Sequence, residues 1–571
     1  MARPLLRLAC AVGLPAALAQ ITLRDAPEPD AEVMIVDQLD FLDAAADQVQ
    51  GTSRRGTNSA ASATLLLAHI SPGAPCHDTF DGPLGTVNTY DPVNVSQPAA
   101  ALWTYFTNDT CVPTENPADK CTLGYYGLYV INPTKPQNVK AGIDFARRNN
   151  IRLIVRNTGH DFIGQSTGSG SLIINTHSFQ QIQWIDSYRG SGSYRGSAVT
   201  IGAGVQGKTI LSEGHARNPP LVVVTGECPT VGISGGFIQG GGHGPWTTLE
   251  GFWWRPGVVR RHPFRYHEDV FGHSIRRRHS LHQHTHTLDS DVLWNGTSIF
   301  HKWSNHFVDN GLYAYFEVFP FTLRVRPFVG IGKTAAELQA VLQPFLDELV
   351  ANGVPFDFEV KSFPTFYDLL YIDQFEPEAA GSSALTGGWM FNHEDVATNN
   401  DGIIQAFKTV LSPGPGLFGF MIGHLFNPGH GAPQSNSATH LAWRNATDFV
   451  ITALPVPVGS SLTEKAALQN VLTNTMDEAL RQVSTSGCTY VNEAGHVLLA
   501  SAKVYNTDLG TVSLADPYQP NWQSHLWDTD YPKLKTLRKK WDPIGVFYAV
   551  STPGTEEWEV IEDGTRLCKR S

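Results

Sequence analysis

The sequence predicts an α+β fold of two lobes, and three observations support this. The chain has 571 residues, enough for a fold of two lobes. Between about residues 129 and 240, short β-branched runs and an amphipathic helix alternate, which is typical of an α/β lobe. From about residue 300, a strand pattern, a capped helix and another strand pattern follow one another. This order indicates a sheet with helices on one face.

The N-terminus predicts a secretory signal over residues 1–19. Arg3 and Arg7 precede an apolar stretch from Leu8 to Leu18, and a small-residue cleavage site precedes Gln20. The alternative, a buried first helix, is disfavoured by prolines in the stretch. We therefore expect an extracellular, secreted protein. The four sequons compatible with glycosylation are at Asn94, Asn108, Asn295 and Asn445.

Composition narrows the classes of partner. The net charge of −12 excludes a typical nucleic-acid binder, because phosphate recognition needs clustered positive charge. No stretch after the signal approaches the roughly 20 apolar residues of a membrane span. A small neutral or cationic molecule is the expected partner, and we expect a monomer. Residues 20–125 are irregular, rich in Asp, Pro, Asn and Thr, and predict a wrapping segment.

The first lobe is expected to begin near Tyr129. Thr134 and Pro136 indicate a helix start, and Asn149 and Asn150 indicate its end. The predicted strands are β-branched or apolar runs bounded by turn residues. They span residues 151–155, 171–175, 198–201 and 221–224.

The second lobe is predicted from strand and capping patterns. Residues 312–321 have strand character, and Thr334 with Glu337 forms a capping box for a helix that stops at Gly353. Residues 354–360 alternate like a half-buried strand, and 464–483 predict a helix. From Trp522 onward, a last helix is expected to end before Pro543 and to return to the first lobe.

Two glycine-rich loops carry the candidate site. Residues 156–166 follow the strand at 151–155, and residues 226–244 follow the apolar run at 221–224. Glycine lets backbone N–H groups approach a pyrophosphate closely, because no Cβ blocks the contact. A nicotinamide-type Gly-x-Gly-x-x-Gly arrangement is not cleanly present. The loops contain His160 and Cys228, an imidazole and a thiol that could both bond a flavin.

These motifs resemble the FAD-linked oxidases of the vanillyl-alcohol-oxidase superfamily, in their secreted berberine-bridge-enzyme-like branch. The resemblance rests on Arg-x-x-Gly-His-Asp at 156–161, Gly-x-Cys-Pro-Thr-Val-Gly at 226–232, the glycines before His243, and tail motifs between 531 and 548. It implies a PCMH-type FAD-binding domain of two α/β subdomains, with an inserted substrate domain of antiparallel sheet and helices. The expected domains are 126–298 for FAD, 299–485 for substrate, and 486–571 as a C-terminal segment returning to the FAD domain.

The resemblance also implies cofactor contacts. The histidine matching His160 binds the ring methyl of the flavin, and the cysteine matching Cys228 binds a neighbouring ring carbon; the alternatives are a loop histidine and a buried thiol or disulfide. The residues that match the family's FAD-binding loops are Arg156, Asn157, Thr158, Gly159, His160, Asp161, Gly164, Ser166, Gly226, Cys228, Thr230, Val231, Gly232, Gly235, Gly236, Gly240, Gly241, Gly242 and His243.

Tyr490 matches the tyrosine of the family's Tyr-x-Asn segment, which can take the proton of the substrate hydroxyl. A tyrosine buried for packing is an equal alternative on the sequence. Glu317, Asp357 and Glu359 are candidate second members of the site, although a solvated strand carboxylate is the preferred interpretation of each.

Six cysteines follow the signal, and most are expected to pair in an oxidising compartment. Spacing favours Cys111 with Cys121, and reserving Cys228 for the cofactor leaves one cysteine odd. No Cys/His pattern has zinc-finger spacing, so no metal site is predicted.

Two segments depart from the family's pattern. Residues 253–287 contain seven arginines and seven histidines, and the aberrant segment extends to about 290. A metal-binding tract or a basic loop is one alternative, and a shifted reading frame or a misjudged splice is preferred. Residues 495–514 look like a retained intron.

The sequence thus predicts a secreted oxidase that passes hydride from an alcohol, sugar or secondary metabolite to covalent FAD and reduces O2 to H2O2. The alternative is a non-catalytic secreted glycoprotein, or pseudoenzyme, whose pocket these segments disrupt.

Overall fold

The computed structural model describes residues 127, 129–160, 165–166, 168, 171–189, 196–226, 228–246, 269–270, 291–320, 322–356, 358, 360, 362–363, 365–372, 384–428, 440–457, 460–484, 487–490, 494–495, 512–513, 519–561 and 566–570. The predicted signal, the wrapping segment and most of residues 253–290 and 495–514 lie outside these ranges.

The structure combines strands and helices in the α+β arrangement that the sequence predicts. The strands are β1 (Tyr129–Ile131), β2 (Leu153–Arg156), β3 (Leu172–Asn175), β4 (Ile182–Tyr188), β5 (Gly196–Ile201), β6 (Asp269–Val270), β7 (Tyr313–Phe319), β8 (Thr322–Val329), β9 (Ser362–Phe363), β10 (Ala384–Asn392), β11 (Phe420–Leu425), β12 (Ala446–Pro455), β13 (Ala494–Gly495), β14 (Val512–Ser513), β15 (Trp558–Ile561) and β16 (Arg566–Lys569). The α-helices are α1 (Pro136–Asn149), α2 (Gly207–His215), α3 (Ile238–Gly240), α4 (Asp291–Lys302), α5 (Ser304–Asp309), α6 (Ala335–Ala351), α7 (Phe366–Ile372), α8 (His393–Thr398), α9 (Asn400–Leu411), α10 (Leu462–Val471), α11 (Asp477–Gln482), α12 (Trp522–Trp527) and α13 (Tyr531–Trp541).

A parallel sheet with strand order β1-β3-β2 forms the centre of the first lobe. Helix α1 packs on it through Val139 and Ala146, which are buried with the apolar residues of the strands. The predicted helix is confirmed: a proline stands in its first turn, and Asn150 ends it in the left-handed conformation at φ 52°.

The C-terminal segment returns to this lobe. Leu153 of β2 forms a parallel bridge with Phe547. Asp542 fixes the turn after α13, because its carboxylate accepts hydrogen bonds from the backbone N–H of Val546 at 2.8 Å and of Phe547 at 3.0 Å. The first lobe is therefore built from both halves of the chain.

The second lobe contains a five-stranded antiparallel sheet with the order β10-β12-β11-β7-β8. Because side chains alternate along a strand, its two faces differ. Phe316 and Val450 lie on the face that packs against α4, α6 and α9. Tyr315 and Phe449 lie on the opposite face, in a core shared with first-lobe residues such as Val205. This second face joins the two lobes.

Two predicted helices of the second lobe are confirmed. The Thr334–Glu337 capping box is present at the start of α6: the Glu337 N–H donates to Thr334 Oγ1 at 3.2 Å, and the Thr334 N–H donates to Glu337 Oε2 at 2.8 Å. The helix predicted at 464–483 is a continuous helical stretch, in which a π-helical turn at Leu472–Met476 joins α10 to α11.

Two predicted strands are wrong. Residues 221–224 form no named strand, because the chain turns back onto α2, where the Leu221 N–H donates to the Gly214 carbonyl. The described residues of 354–360 also form no strand. Their apolar side chains pack against the helix-facing core without pairing to a neighbouring strand, so the alternation reflects burial alone.

Candidate functional site

The two glycine loops meet in the folded protein. His160 Nε2 lies 2.7 Å from Thr230 Oγ1, a hydrogen bond between residues 70 positions apart. Thr230 is 0% exposed, and Cys228, two residues before it, is also buried. The structure thus brings the imidazole loop and the cysteine loop into direct contact, as the sequence led us to expect.

Backbone geometry in the first loop depends on Gly159. Its φ of +83° lies in the left-handed region, and a Cβ there would stand 2.6 Å from Arg156 Nη2. Arg156 is itself buried, and its carbonyl accepts a hydrogen bond from Thr176 Oγ1 at 3.1 Å. Gly159 therefore folds the loop closely over a buried cation, while Thr158 is buried beside it.

Asn157 anchors the first loop to the second. Its Nδ2 donates to the Ala203 carbonyl at 2.7 Å. A Cβ on Gly235 would lie 1.6 Å from that same Nδ2, and one on Gly232 would lie 2.6 Å from it. Substitution at either glycine would push the loops apart. Val231 is half-buried.

The glycine run continues through a short helical segment. Residues Ile233–Phe237 form a π-helical turn that leads into α3, and Gly241 ends it with φ +78°. A Cβ on Gly242 would stand 2.2 Å from Phe237 Cδ2. In contrast, a Cβ on Gly236 would meet only Val231 Cγ1, at 3.8 Å. Gly226 lies close to this run, since a Cβ there would be 3.2 Å from the His243 carbonyl.

The donor set fits FAD. An imidazole and a thiol can bond the ring system, and the buried Arg156 guanidinium and the close-packed glycine backbone suit the pyrophosphate. Ser166 and Gly240 are half-buried in the same loops, while Asp161 and Gly164 lie outside the described residues. Gln165, which the sequence did not single out, donates from Nε2 to the Val550 carbonyl at 3.0 Å and ties the first loop to the C-terminal segment.

His243 and Tyr490 lie in one buried aromatic cluster. The His243 ring is 4.9 Å from Phe426 and 6.0 Å from Tyr490, and the Tyr490 ring is 4.9 Å from Trp443. Phe449 also belongs to the cluster. The end of the glycine run, the candidate base and the five-stranded sheet therefore meet at one place.

The prediction that Glu317 is a solvated strand carboxylate is wrong. Glu317 is 0% exposed, and its Oε2 accepts a hydrogen bond from Arg324 Nη1 at 2.9 Å, while Tyr315 OH lies 3.4 Å from Oε1. The side chain lies on the sheet face that meets the first lobe, where burial requires a partner for the charge. Asp357 and Glu359 lie outside the described residues.

His424 is a candidate that the sequence analysis missed. It is buried on β11 opposite Tyr315 of β7, and its ring lies 5.1 Å from both the Tyr315 ring and the His243 ring. The sequence feature that could have identified His424 is its place as a single polar residue inside the apolar run Phe420–Leu425.

Most cysteines after the signal were expected to form disulfides, and Cys488 and Cys568 do not. Cys228, Cys488 and Cys568 are thiols, outside any disulfide. Burial raises the pKa of Cys488, and its Sγ lies 3.7 Å from Met390 Sδ in an apolar core, so this thiol is chemically inert. Cys76, Cys111 and Cys121 lie outside the described residues.

The described parts of the chain hold no cluster of three or more His, Cys, Asp or Glu side chains suited to a metal ion. Within those same ranges, no helix is both long and apolar enough to cross a membrane.

The chain is similar to known flavoproteins. The family model for an FAD binding domain matches residues 128–253, and the model for berberine and berberine-like proteins matches residues 489–550. An FAD-linked oxidoreductase from Gibberella zeae is 28% identical over 550 residues, which cover 88% of this chain and 90% of that protein.

Two solved structures show the shared fold. A VAO-type flavoprotein from Myceliophthora thermophila aligns with a TM-score of 0.70 at 23% identity and covers 96% of this chain and 100% of its own. Glucooligosaccharide oxidase from Acremonium strictum aligns with a TM-score of 0.50 at 15% identity, covering 76% of this chain and 92% of its own. The FAD of that oxidase is described as 6-S-cysteinyl, 8α-N1-histidyl.

Proposed function

We propose that the chain is an FAD-linked oxidoreductase of the berberine-bridge-enzyme-like branch of the vanillyl-alcohol-oxidase superfamily, and that it holds FAD covalently through His160 and Cys228. The observation that carries this proposal is the 2.7 Å contact between His160 Nε2 and Thr230 Oγ1, which joins the two loops that contain the attachment residues. The doubly linked FAD of the Acremonium strictum oxidase supports it.

The chemistry of both side chains suits attachment. A neutral imidazole nitrogen and a thiolate are nucleophiles, and oriented N–H groups of the glycine loop stabilise a thiolate as it forms. Two bonds would fix the ring system and withdraw electron density from it, which favours hydride acceptance. The bound FAD supplies acceptance of hydride from a substrate C–H bond and its transfer to O2, which gives H2O2.

The protein's own part in the reaction is to position the substrate and take a proton. Tyr490 is the proposed base, whose phenol oxygen accepts the proton of the substrate O–H group. It is buried in the aromatic cluster between the glycine run and the sheet, where water is excluded. The cluster is apolar, and the buried Glu317 carboxylate is paired with the Arg324 guanidinium. A small, uncharged alcohol, sugar or secondary metabolite is therefore the proposed substrate.

We also propose that the protein acts outside the cell as a monomer. The N-terminal signal pattern supports export. Asn295 and Asn445, the two described sequon positions, are both exposed, as glycosylation requires. Mass analysis of the secreted protein, before and after glycosidase treatment, tests this proposal.

Denaturation tests the covalent attachment. The native protein is precipitated with acid, and the flavin absorbance of the pellet is compared with that of the supernatant. The pellet should be yellow for native protein, for His160→Ala and for Cys228→Ala, because each single variant keeps one bond. The double variant should release its flavin. Flavin retained by the double variant would show that the attachment residues are others.

Oxidase activity is tested separately by peroxide release on a panel of alcohols, sugars and phenolic metabolites. Peroxide formed with consumption of one substrate supports the proposal. A folded, flavin-loaded protein that reduces its flavin with substrate but yields no peroxide in air would contradict the use of O2.

A further inference from the structure

The hydrogen bond between His160 and Thr230 distinguishes the two nitrogens of the imidazole. An imidazole has two ring nitrogens, and Nε2 is the one held by the Thr230 hydroxyl, at 2.7 Å. A covalent bond to carbon needs a separation of only about 1.46 Å. The flavin methyl carbon cannot reach Nε2 at that distance while the hydroxyl oxygen occupies its lone-pair or N–H direction.

We propose that Thr230 is a positioning residue for flavin attachment, which holds His160 by Nε2 so that Nδ1 bonds the ring methyl. This inference rests on the proposed covalent attachment and names the group that orients it. Thr230 is suited to the role because it is 0% exposed and therefore fixed in place by packing. It also lies two residues after Cys228, so the same loop segment would locate both bonds.

A hydroxyl is the appropriate group because it both donates and accepts. Before attachment, the Thr230 oxygen accepts the Nε2–H bond, and the lone pair of the neutral ring then lies on Nδ1. After attachment, Nε2 has lost its proton, and the hydroxyl rotates to donate to it. A methyl group in the same place could do neither.

The step balances with O2 as the oxidant. A C–N bond forms between Nδ1 and the methyl carbon, one C–H bond of that methyl breaks, and the imidazole N–H bond breaks. The two protons and two electrons released leave as H2O2, with O2 reduced. The ring is returned to its oxidised state, so no further reductant or oxidant is required.

The test uses the Cys228→Ala protein, in which His160 is the single attachment point. Thr230→Val and Thr230→Ser are made in this background, since valine matches threonine in shape and serine keeps the hydroxyl. Each apoprotein is mixed with FAD in air, and acid-stable flavin is followed with time. We expect Thr230→Val to slow attachment about tenfold or more, the loss of one hydrogen bond, and Thr230→Ser to stay near the parent rate.

Two further readouts separate positioning from folding. Thermal unfolding and non-covalent FAD affinity should be alike in the valine and serine variants. If Thr230 had a purely structural role, the two variants would differ in these properties. In the flavin-bearing peptide of the parent, a nuclear Overhauser contact between the linking methylene and the His160 Cβ protons is expected, because Nδ1 is the nitrogen next to Cγ.

These experiments test the role of Thr230 separately from covalent attachment through His160 and Cys228. No acid-stable flavin in the native protein would overturn both. Acid-stable flavin in the native protein and in His160→Ala, but none in Cys228→Ala, would limit attachment to the cysteine and also overturn both. Normal attachment in the Thr230→Val protein, or a bond through Nε2, would overturn the role of Thr230 and leave covalent attachment standing.

Discussion

Glu317 and Arg324 form an ion pair inside the protein, with Arg324 Nη1 2.9 Å from Glu317 Oε2 and side-chain exposures of 4% and 0%. They face each other on β7 and β8, where Glu317 pairs in register with Arg324. Neither charge can be screened by bulk water, so each depends on the other. This pair lets a charged residue stand on the sheet face that meets the FAD-binding lobe.

Removal of one partner should therefore be costly. We expect Arg324→Met to lower the free energy of unfolding by about 3–5 kcal/mol, because it leaves the Glu317 carboxylate buried and uncompensated. Urea denaturation followed by tryptophan fluorescence measures this. The double variant Glu317→Leu/Arg324→Met should recover most of the loss.

The matched control is an exposed pair on α1. Lys140 Nζ lies 2.6 Å from Asp144 Oδ2, with Lys140 75% exposed, so Lys140→Met should cost less than about 1 kcal/mol. Equal losses for Arg324→Met and Lys140→Met would show that the Glu317 carboxylate is solvated after all.

Gly235→Ala should weaken FAD binding and stability together. The added methyl would overlap Asn157 Nδ2, at 1.6 Å, and so separate the two loops. Overpacking of this kind costs about 1–3 kcal/mol. Gly236→Ala is the neighbouring control for stability, since its methyl would meet only Val231, at 3.8 Å. Denaturation curves and FAD titration check both variants, and indistinguishable curves would argue against close contact of the loops.

Tyr490→Phe should leave FAD content and folding intact while it lowers kcat by about a hundredfold to ten-thousandfold, the usual contribution of a positioned base. Phenylalanine keeps the ring that packs against Trp443, so the change isolates the hydroxyl. Stopped-flow measurement of flavin reduction gives the rate of the chemical step. A reduction rate equal to that of the native enzyme would leave Tyr490 with a packing role alone.

Stability should decrease in mild acid. Burial, assisted by the nearby Arg156 guanidinium, lowers the pKa of His177 below its usual value of 6.5, and burial also lowers the pKa of His440 and His525. Below 6.5 the unfolded chain therefore binds more protons than the folded chain, so the free energy of unfolding decreases as pH falls and rises again toward pH 6.5.

His177→Gln tests this pH dependence, since glutamine does not titrate. Urea denaturation at a series of pH values from 5 to 7 should give a smaller slope for the variant than for the native protein. A slope unchanged by the substitution would mean that His177 titrates alike in the folded and unfolded states.

The helices predicted from local sequence patterns are present in the structure because their signals are local. The capping box at Thr334 and the proline and asparagine that bound α1 act within a few residues of themselves. The two strands that were wrong, at 221–224 and 354–360, had suitable apolar patterns. Strand formation needs a partner elsewhere in the chain, which periodicity within one segment does not supply.

The sequence by itself determined the cofactor class, because the specific motifs of the His160 and Cys228 loops consist of residues that are adjacent in the chain. Only the tertiary structure decided which groups stand together: that Thr230 holds His160, that Glu317 is buried against Arg324, and that His424 joins His243 and Tyr490 in the aromatic cluster. The physical reason is distance along the chain. These contacts join residues from separate strands and loops, and their energies depend on burial, which exists only once the two lobes have packed.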